Sequence, residues 1–245
     1  MSSILITGTS TGIGRATAAE LVRRGHRVVA TARDPRTLDG LGVDQRLRLD
    51  VTDQSSVDAA VKEAGEIDVL ISNAGGIFYA PVEASPADEI ERLYRLNTVG
   101  AVRVTQAVLP QMRERGKGRL LYVSSVAGRT VRPGSAAYNA SKWALEAFAE
   151  TLAIEVAGFG IDVSLAQPGP VSSGALDDVL TYGSPVYGPP EALPESAFIT
   201  SEEVARALAD LVERSEIPLR VPVGAAAEHV LAARDAAPYD RPFVR

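Results

Sequence analysis

The chain of 245 residues contains no cysteine, so disulfides, thiolate zinc sites and cysteine nucleophiles are excluded. Histidine is nearly as scarce: His26 and His229 lie far apart, which argues against metal catalysis through imidazole, and no metal is expected. Positive charge is not in excess. Twenty-five Lys plus Arg face 31 Asp plus Glu, a net charge of −6, which argues against a nucleic-acid or anionic-lipid partner. Long apolar runs are missing too. The first residues, Met1-Ser2-Ser3-Ile4-Leu5-Ile6-Thr7, meet Gly8 at once and read as neither an export signal nor a membrane span, so a cytoplasmic protein is expected.

What is present suits a large core. Hydrophobic residues make up 46% and charged residues 23%, the balance of a globular protein, and the length allows one α/β domain over residues 1–245. Strands are predicted at Ser3 to Thr7, Arg27 to Thr31, Arg46 to Leu49, Ile67 to Ser72, Gly118 to Ser124, Ile161 to Gln167 and Leu219 to Val221. Most are nearly continuous Val, Ile and Leu, as in strands buried on both faces. Helical patterns fill the intervals at Gly14 to Arg24, Asp53 to Ala64, Pro86 to Arg115, Ala136 to Ala157 and Ser201 to Arg214, with caps such as Ser85-Pro86 and Thr200-Ser201. That alternation implies a doubly wound parallel sheet of about seven strands flanked by helices.

One segment breaks the rhythm. Pro168 to Pro194 holds six of the fifteen prolines and leaves room only for a short helix around Ala175 to Leu180. An irregular stretch of this length is expected to be a substrate lid, at about residues 170–200.

Three clusters carry chemistry. The first strand ends in Thr7-Gly8-Thr9-Ser10-Thr11-Gly12-Ile13-Gly14-Arg15, where a helix opens. Glycines admit a tight turn and close approach of a pyrophosphate, and the helix N-terminus offers free N–H groups. Taken alone, such a turn also serves a purely structural role. The second strand ends in Arg33-Asp34, where a Rossmann-like unit meets the adenosine ribose. Arg33 together with Arg15 would pair with a 2′-phosphate and favour NADP(H); were Arg33 and Asp34 an ordinary solvated pair, NAD(H) would serve equally. The third cluster is Tyr138-Asn139-Ala140-Ser141-Lys142. Residues four apart share a helix face, so the ammonium lies near the phenol and is expected to lower its pKa toward neutrality. Only three lysines occur (Lys62, Lys117, Lys142), which sets this one apart among alanines. Ser125 follows the fifth predicted strand at the end where ligands bind in open sheets, although Ser124 or Ser125 also fits a turn or a cap. Ser72-Asn73-Ala74-Gly75-Gly76 ends the fourth strand with small residues that admit a ligand.

In this order and spacing the motifs resemble the short-chain dehydrogenase/reductase family from Thr7 to about Val223. The matching pieces are Thr7 to Gly14, Asp50-Val51, Asn73-Ala74-Gly75, Asn97, Ser125, Tyr138 with Lys142, and Pro168-Gly169. The resemblance implies a single-domain Rossmann fold that assembles as a homodimer or homotetramer. It implies that Gly8, Ser10, Thr11, Gly12, Ile13 and Gly14 hold the pyrophosphate, that Asp50 and Val51 contact the adenine, and that Asn73 to Gly75 support sheet and cofactor. Two positions depart from the family pattern. Ser72 stands where Asn is common, and after Pro168-Gly169 a Thr is replaced within Val171-Ser172-Ser173, so the Ser173 hydroxyl is expected to take up the nicotinamide carboxamide contact, with Val171 among the cofactor-binding residues.

The implied chemistry is hydride transfer between nicotinamide and a carbonyl or carbinol carbon. Ser125 polarises the carbonyl, Tyr138 supplies the proton, Lys142 tunes Tyr138 and holds the nicotinamide ribose, and Asn97 anchors a water linking Lys142 to solvent. Pocket walls are expected from Gly76-Ile77-Phe78, Val126-Ala127, the stretch after Val131, and Leu176, Leu180, Tyr182 and Tyr187. With no evident Arg clamp for a carboxylate, these walls suggest an apolar or aromatic ketone or the matching secondary alcohol as substrate. A preference for NADP(H) leans toward reduction of the ketone, with NAD(H)-dependent oxidation of the alcohol as the alternative. A non-catalytic NADP(H)-sensing regulator is disfavoured by the complete Ser, Tyr and Lys set, and an epimerase or dehydratase by the short C-terminal stretch.

Overall fold

The computed structural model describes residues 1–173, 179–188, 193–240 and 243. Seven strands form one parallel sheet: β1 (Ser3–Ile6), β2 (Arg27–Ala32), β3 (Gln45–Arg48), β4 (Val69–Ser72), β6 (Gly118–Val123), β7 (Ile161–Pro168) and β11 (Arg220–Val223). Across the sheet they run β3-β2-β1-β4-β6-β7-β11, so the order reverses between β1 and β4. A crevice must open there beyond the carboxyl ends of the strands, because the connections leave toward opposite faces.

Successive residues of β1 point to opposite faces, and each meets its own layer. Leu5 packs with Leu70, Val104 and Leu145 under α2 (Gln54–Ala64), α4 (Gly100–Arg115) and α5 (Ala136–Val156). Ile4 and Ile6 pack with Leu21, Val204 and Leu208 under α1 (Gly12–Arg23) and α6 (Ser201–Glu213). The fold is thus a single α/β domain with helices on both faces. The edge strand β3 departs from the buried pattern: only Leu47 is buried, while Arg46 and Arg48 face solvent and block further pairing.

Two expectations change. The helix anticipated from Pro86 to Arg115 is divided into α3 (Ala87–Tyr94) and α4 by a π-helical turn at Arg95–Val99. The wider turn carries Asn97 inward, as π-turns at functional sites often do. Residues 175–178 of the short helix expected around Ala175 to Leu180 lie outside the described residues; Leu180 itself belongs to a strand.

Three short parallel pairings tie the irregular segments to the body. β5 (Phe78–Tyr79) pairs with β9 (Leu180–Thr181), and β8 (Val171–Ser172) pairs with β10 (Ile199–Thr200). Ala80 bridges Ser135. After β11, α7 (Ala225–Ala236) returns onto its own chain and buries Ala227 and Leu231 against Val126. No helix of the described residues is long and apolar enough to cross a membrane.

Candidate active site

A cleft of about 1000 Å³ opens at the switch point. Its floor is the glycine turn. Gly8 and Gly12 adopt φ of 71° and 54°, a region that favours glycine. A Cβ on Gly8 would come within 2.8 Å of Ala74 Cα, and one on Gly14 within 2.5 Å of Asn73 Nδ2, so side chains are excluded where the chain must pass closely. Thr11 caps α1 without a side-chain bond, which leaves the first N–H groups of the helix facing the cleft. These features fit a dinucleotide pyrophosphate.

Asn73 and Thr7 hold that turn. The Asn73 side-chain amide donates to the Thr7 and Gly8 carbonyls, both at 2.9 Å. Thr7 Oγ1 accepts from the backbone N–H of Asn73 and of Ala74, both at 3.0 Å. Across the cleft, Ser173 lies against Gly12, where an added Cβ would stand 3.3 Å from the Ser173 Cβ. Pro168, Gly169 and Val171 line the same wall, as do Ser10, Thr11, Ile13 and Gly75.

At the adenosine end the two arginines separate. Arg33 lines the cleft, exposed and close enough to Asp50 to lower that carboxyl. Arg15 does not converge with it, because its guanidinium donates to the carbonyls of Thr37 (2.9 Å) and Asp39 (3.3 Å). Asp34 turns away as well: it caps the turn at Pro35–Leu38 and pairs with Arg36 at 2.8 Å. The Arg33–Asp34 pair considered from sequence is therefore absent, and Arg33 lines the cleft with no carboxylate in salt-bridge contact among the described residues. Burial would raise the Asp50 carboxyl, but bonds from the Thr52 hydroxyl (2.7 Å) and N–H (2.9 Å), with the field of Arg33, hold it below its ordinary value. Val51 is buried beneath Gly100, whose added Cβ would come within 2.7 Å of it.

The reactive end lies where β6 gives way to α5. Ser125, buried, accepts from the Ala127 N–H at 3.1 Å and is 3.5 Å from the Pro168 carbonyl. Asn139 donates to the Ala127 carbonyl at 3.0 Å and to that of Thr130, pinning the intervening loop to α5. Lys142 is buried and donates to the Val123 carbonyl at 2.8 Å, with Nζ 5.8 Å from the Tyr138 ring centre.

The proton inventory differs from expectation. Burial pushes the Tyr138 phenol up to about 12; Ser125 opposes this, and Tyr79 adds to it. Lys142 is not among the groups that bring the phenol down; its ammonium donates to the Val123 carbonyl at 2.8 Å and lies 5.8 Å from the ring centre. Burial lowers Lys142 itself to about 8, with Glu146 opposing.

Asn97 is fully engaged. Its Oδ1 accepts from the Gly76 N–H (2.8 Å), and its Nδ2 donates to the Gly76 carbonyl and to Ser141 Oγ, both at 3.0 Å. Ser141 Oγ in turn donates to the Tyr138 carbonyl at 2.8 Å, so the π-turn and the Tyr/Lys turn of α5 are one bonded unit.

Sequence reasoning missed Glu146. This carboxylate, 4% exposed, accepts from Ser124 Oγ (2.7 Å), Gln167 (2.8 Å) and Arg220 Nε (2.8 Å), joining the ends of β6, β7 and β11 behind Lys142. Its signal was available, since 138, 142 and 146 share one helix face. Among the expected pocket walls, Gly76, Ile77, Val126, Ala127 and Leu180 line the cleft. Phe78 is instead buried in a separate cluster with Ala80 and Leu93, and Tyr182 packs edge-on against it at 5.9 Å. Tyr187 is exposed and donates to Glu83 at 2.6 Å, and Leu176 lies outside the described residues. Arg92 and Arg132 also line the cleft, where the sequence had offered no evident Arg clamp for a carboxylate.

The short chain dehydrogenase family matches residues 2–181. Among its relatives, "Oxidoreductase BOA17" of Botryotinia fuckeliana is 36% identical over 239 residues, covering 89% of this chain and 87% of that one. A short-chain dehydrogenase structure from Streptomyces avermitilis superposes with a TM-score of 0.85 at 32% identity, over 96% and 94% of the two chains. A Burkholderia cenocepacia homologue solved in complex with NADP has a TM-score of 0.81 at 26% identity, over 96% and 93%. A 3-ketoacyl-(acyl-carrier-protein) reductase from Brucella melitensis complexed with NADH has 0.81 at 25%, over 91% and 97%. The chain belongs to the short-chain dehydrogenase/reductase family, oxidoreductases that act on CH–OH and C=O groups.

Proposed function

We propose that this protein is an NADP(H)-dependent reductase of ketones whose body is apolar or aromatic. The observation that carries the reaction type is the grouping of Ser125, Tyr138 and Lys142 at one end of a glycine-floored cleft. When bound, the nicotinamide supplies or accepts the hydride. Gly8 to Gly14, Asp50, Val51, Asn73 to Gly75 and Ser173 would hold the dinucleotide. Ser125 donates to the carbonyl oxygen and stabilises developing negative charge. Tyr138, neutral at physiological pH because burial pushes its phenol up to about 12, delivers the proton to that oxygen. Lys142 would hold the ribose hydroxyls of the bound nucleotide and return a proton to Tyr138. The protonated resting state of Tyr138 is the reason for favouring reduction.

The choice of NADP(H) rests on Arg33. It lies at the carboxyl end of β2 with no carboxylate partner among the described residues, since Asp34 is committed to Arg36. A guanidinium there suits a 2′-phosphate. The test is kcat/KM for NADPH against NADH in the wild type and in Arg33→Gln. NADPH should be preferred by about tenfold or more, the worth of one charge-assisted contact, and the variant should lose that preference. A wild-type preference for NADH would reject the cofactor assignment.

Residues 170–200 act as the substrate lid in this reading. Val179, Leu180, Leu193 and Phe198 supply apolar lining, and the β5–β9 and β8–β10 pairings are its attachments. Exposed Trp143, Phe148 and Ile154 on α5 support assembly as a homodimer or homotetramer.

A further inference from the structure

The protein is acidic, with a net charge of −6, yet its cleft is not. Five charged residues line it: Arg33, Arg92, Arg132 and Lys142 against Asp50. Asp50 and Arg33 belong to the adenosine end. Apart from Lys142, the remaining charged lining residues, Arg92 and Arg132, are both cationic, and Asp50 is the one Asp or Glu that lines the cleft among the described residues. Arg92 is paired at 2.8 Å with Glu89, which stands outside the lining. Arg132 forms no hydrogen bond or salt bridge among the described residues through its side chain, although it is half-buried. Other partly buried arginines of this chain are tied down: Arg24 to Glu20, Arg119 to Asp162 and Arg220 to Glu146.

Arg132 is also held in place. Its carbonyl accepts from the Ser135 N–H at 3.2 Å, and the Ala80 N–H donates to the Gly134 carbonyl at 2.9 Å, fastening this loop to Phe78–Tyr79. Burial raises the Tyr79 phenol while the field of Arg132 opposes, and Tyr79 in turn acts on Tyr138. Tyr138, Tyr79 and Arg132 line the same cleft, and the loop that carries Arg132 is fastened to the strand that carries Tyr79. A half-buried cation without a counter-charge is costly, and a cleft focuses the field of the cations that line it.

We propose that the substrate is a keto acid: a ketone on an apolar body that also carries a carboxylate, which Arg132 binds while the carbonyl sits at Ser125 and Tyr138. Arg92 adds longer-range attraction. The proposal rests on the reductase reading and narrows its substrate class.

The experiment uses matched pairs of aryl keto acids and their methyl esters, with two, four or six carbons between ketone and carboxyl. Each is scored by NADPH oxidation and, independently of turnover, by its effect on the fluorescence of enzyme-bound NADPH. At one spacing the acid should exceed its ester by about tenfold in kcat/KM and in affinity, the worth of one charge-assisted contact. Arg132→Gln should bring the acid-to-ester ratio near one, and Arg132→Glu should invert it. In the wild type, added salt should weaken the acid and leave the ester unaffected, a readout that needs no variant. Esters equal to or better than acids at every spacing would overturn the proposal, as would an acid preference that persists in Arg132→Glu. Acid-selective binding without any turnover would uphold it and refute the reductase reading alone.

Discussion

Tyr138 serves two opposed requirements. It must be shielded from water to work in a closed site, and shielding keeps it protonated, with a phenol near 12. That state suits a proton donor. Replacing the hydroxyl in Tyr138→Phe should leave cofactor affinity intact and reduce turnover by about a thousandfold or more, the scale of a lost general acid. Cofactor affinity by fluorescence titration and kcat by NADPH oxidation check both halves, and near-normal kcat would remove Tyr138 from the mechanism. Lys142 shows the matching cost. Its pKa falls from 10.5 to about 8 because its ammonium is buried, which corresponds to roughly 3 kcal/mol against folding below pH 8. The sign follows from proton counting: between about 8 and 10.5 the unfolded chain binds more protons, so stability rises with pH across that window. Lys142→Met should therefore raise the melting temperature at pH 7 by a few degrees, less the roughly 1 kcal/mol of its bond to Val123, while abolishing activity. Ketone reduction by the wild type should decline above about pH 8 as Lys142 loses its charge. Calorimetry and a pH profile measure these; a lower melting temperature in Lys142→Met contradicts the burial argument.

At the scale of elements, the site is a junction of turns and strand ends. Asn97 bonds both backbone groups of Gly76 and reaches Ser141, so the π-turn fixes the end of β4 against α5. Glu146 does the same for β6, β7 and β11 through Ser124, Gln167 and Arg220. As the acid one helical turn beyond Lys142, it also helps keep that ammonium charged. Glu146→Gln preserves shape and removes the charge. Its expected effects are about 2 kcal/mol of lost stability, from weaker bonds to Ser124 and Arg220, and a fall in reductase activity that begins at lower pH than in the wild type. Chemical denaturation and pH profiles read them separately. An unmoved profile would leave Glu146 with a purely structural role.

At the scale of the whole molecule, the acidic surface and cationic cleft divide the labour of solubility and recognition. The apolar residues left exposed on α5, with Trp143 at 42%, Phe148 at 48% and Ile154 at 77%, mark the face on which assembly should occur. Sedimentation of the wild type should give a dimer or tetramer, and Phe148→Glu should shift it toward monomer. A monomeric wild type would refute the assembly.

All seven sheet strands were legible, most of them as apolar runs because strands buried on both faces admit little else, whereas β3 shows only one buried apolar residue between charged ones. The Gly8, Gly12 and Gly14 turn, and Tyr138 with Lys142, were legible because backbone approach and helix periodicity are local constraints. Other features were not local. The direction of Lys142 toward Val123, the diversion of Arg15 to Thr37 and Asp39, the burial of Phe78 and the uncompensated position of Arg132 each depend on segments distant in sequence meeting in space. Sequence alone determined which chemical groups the chain could bring to one sheet end. Only the tertiary structure decided their charge states and partners, since desolvation and hydrogen bonding are set by neighbours that chain order does not name.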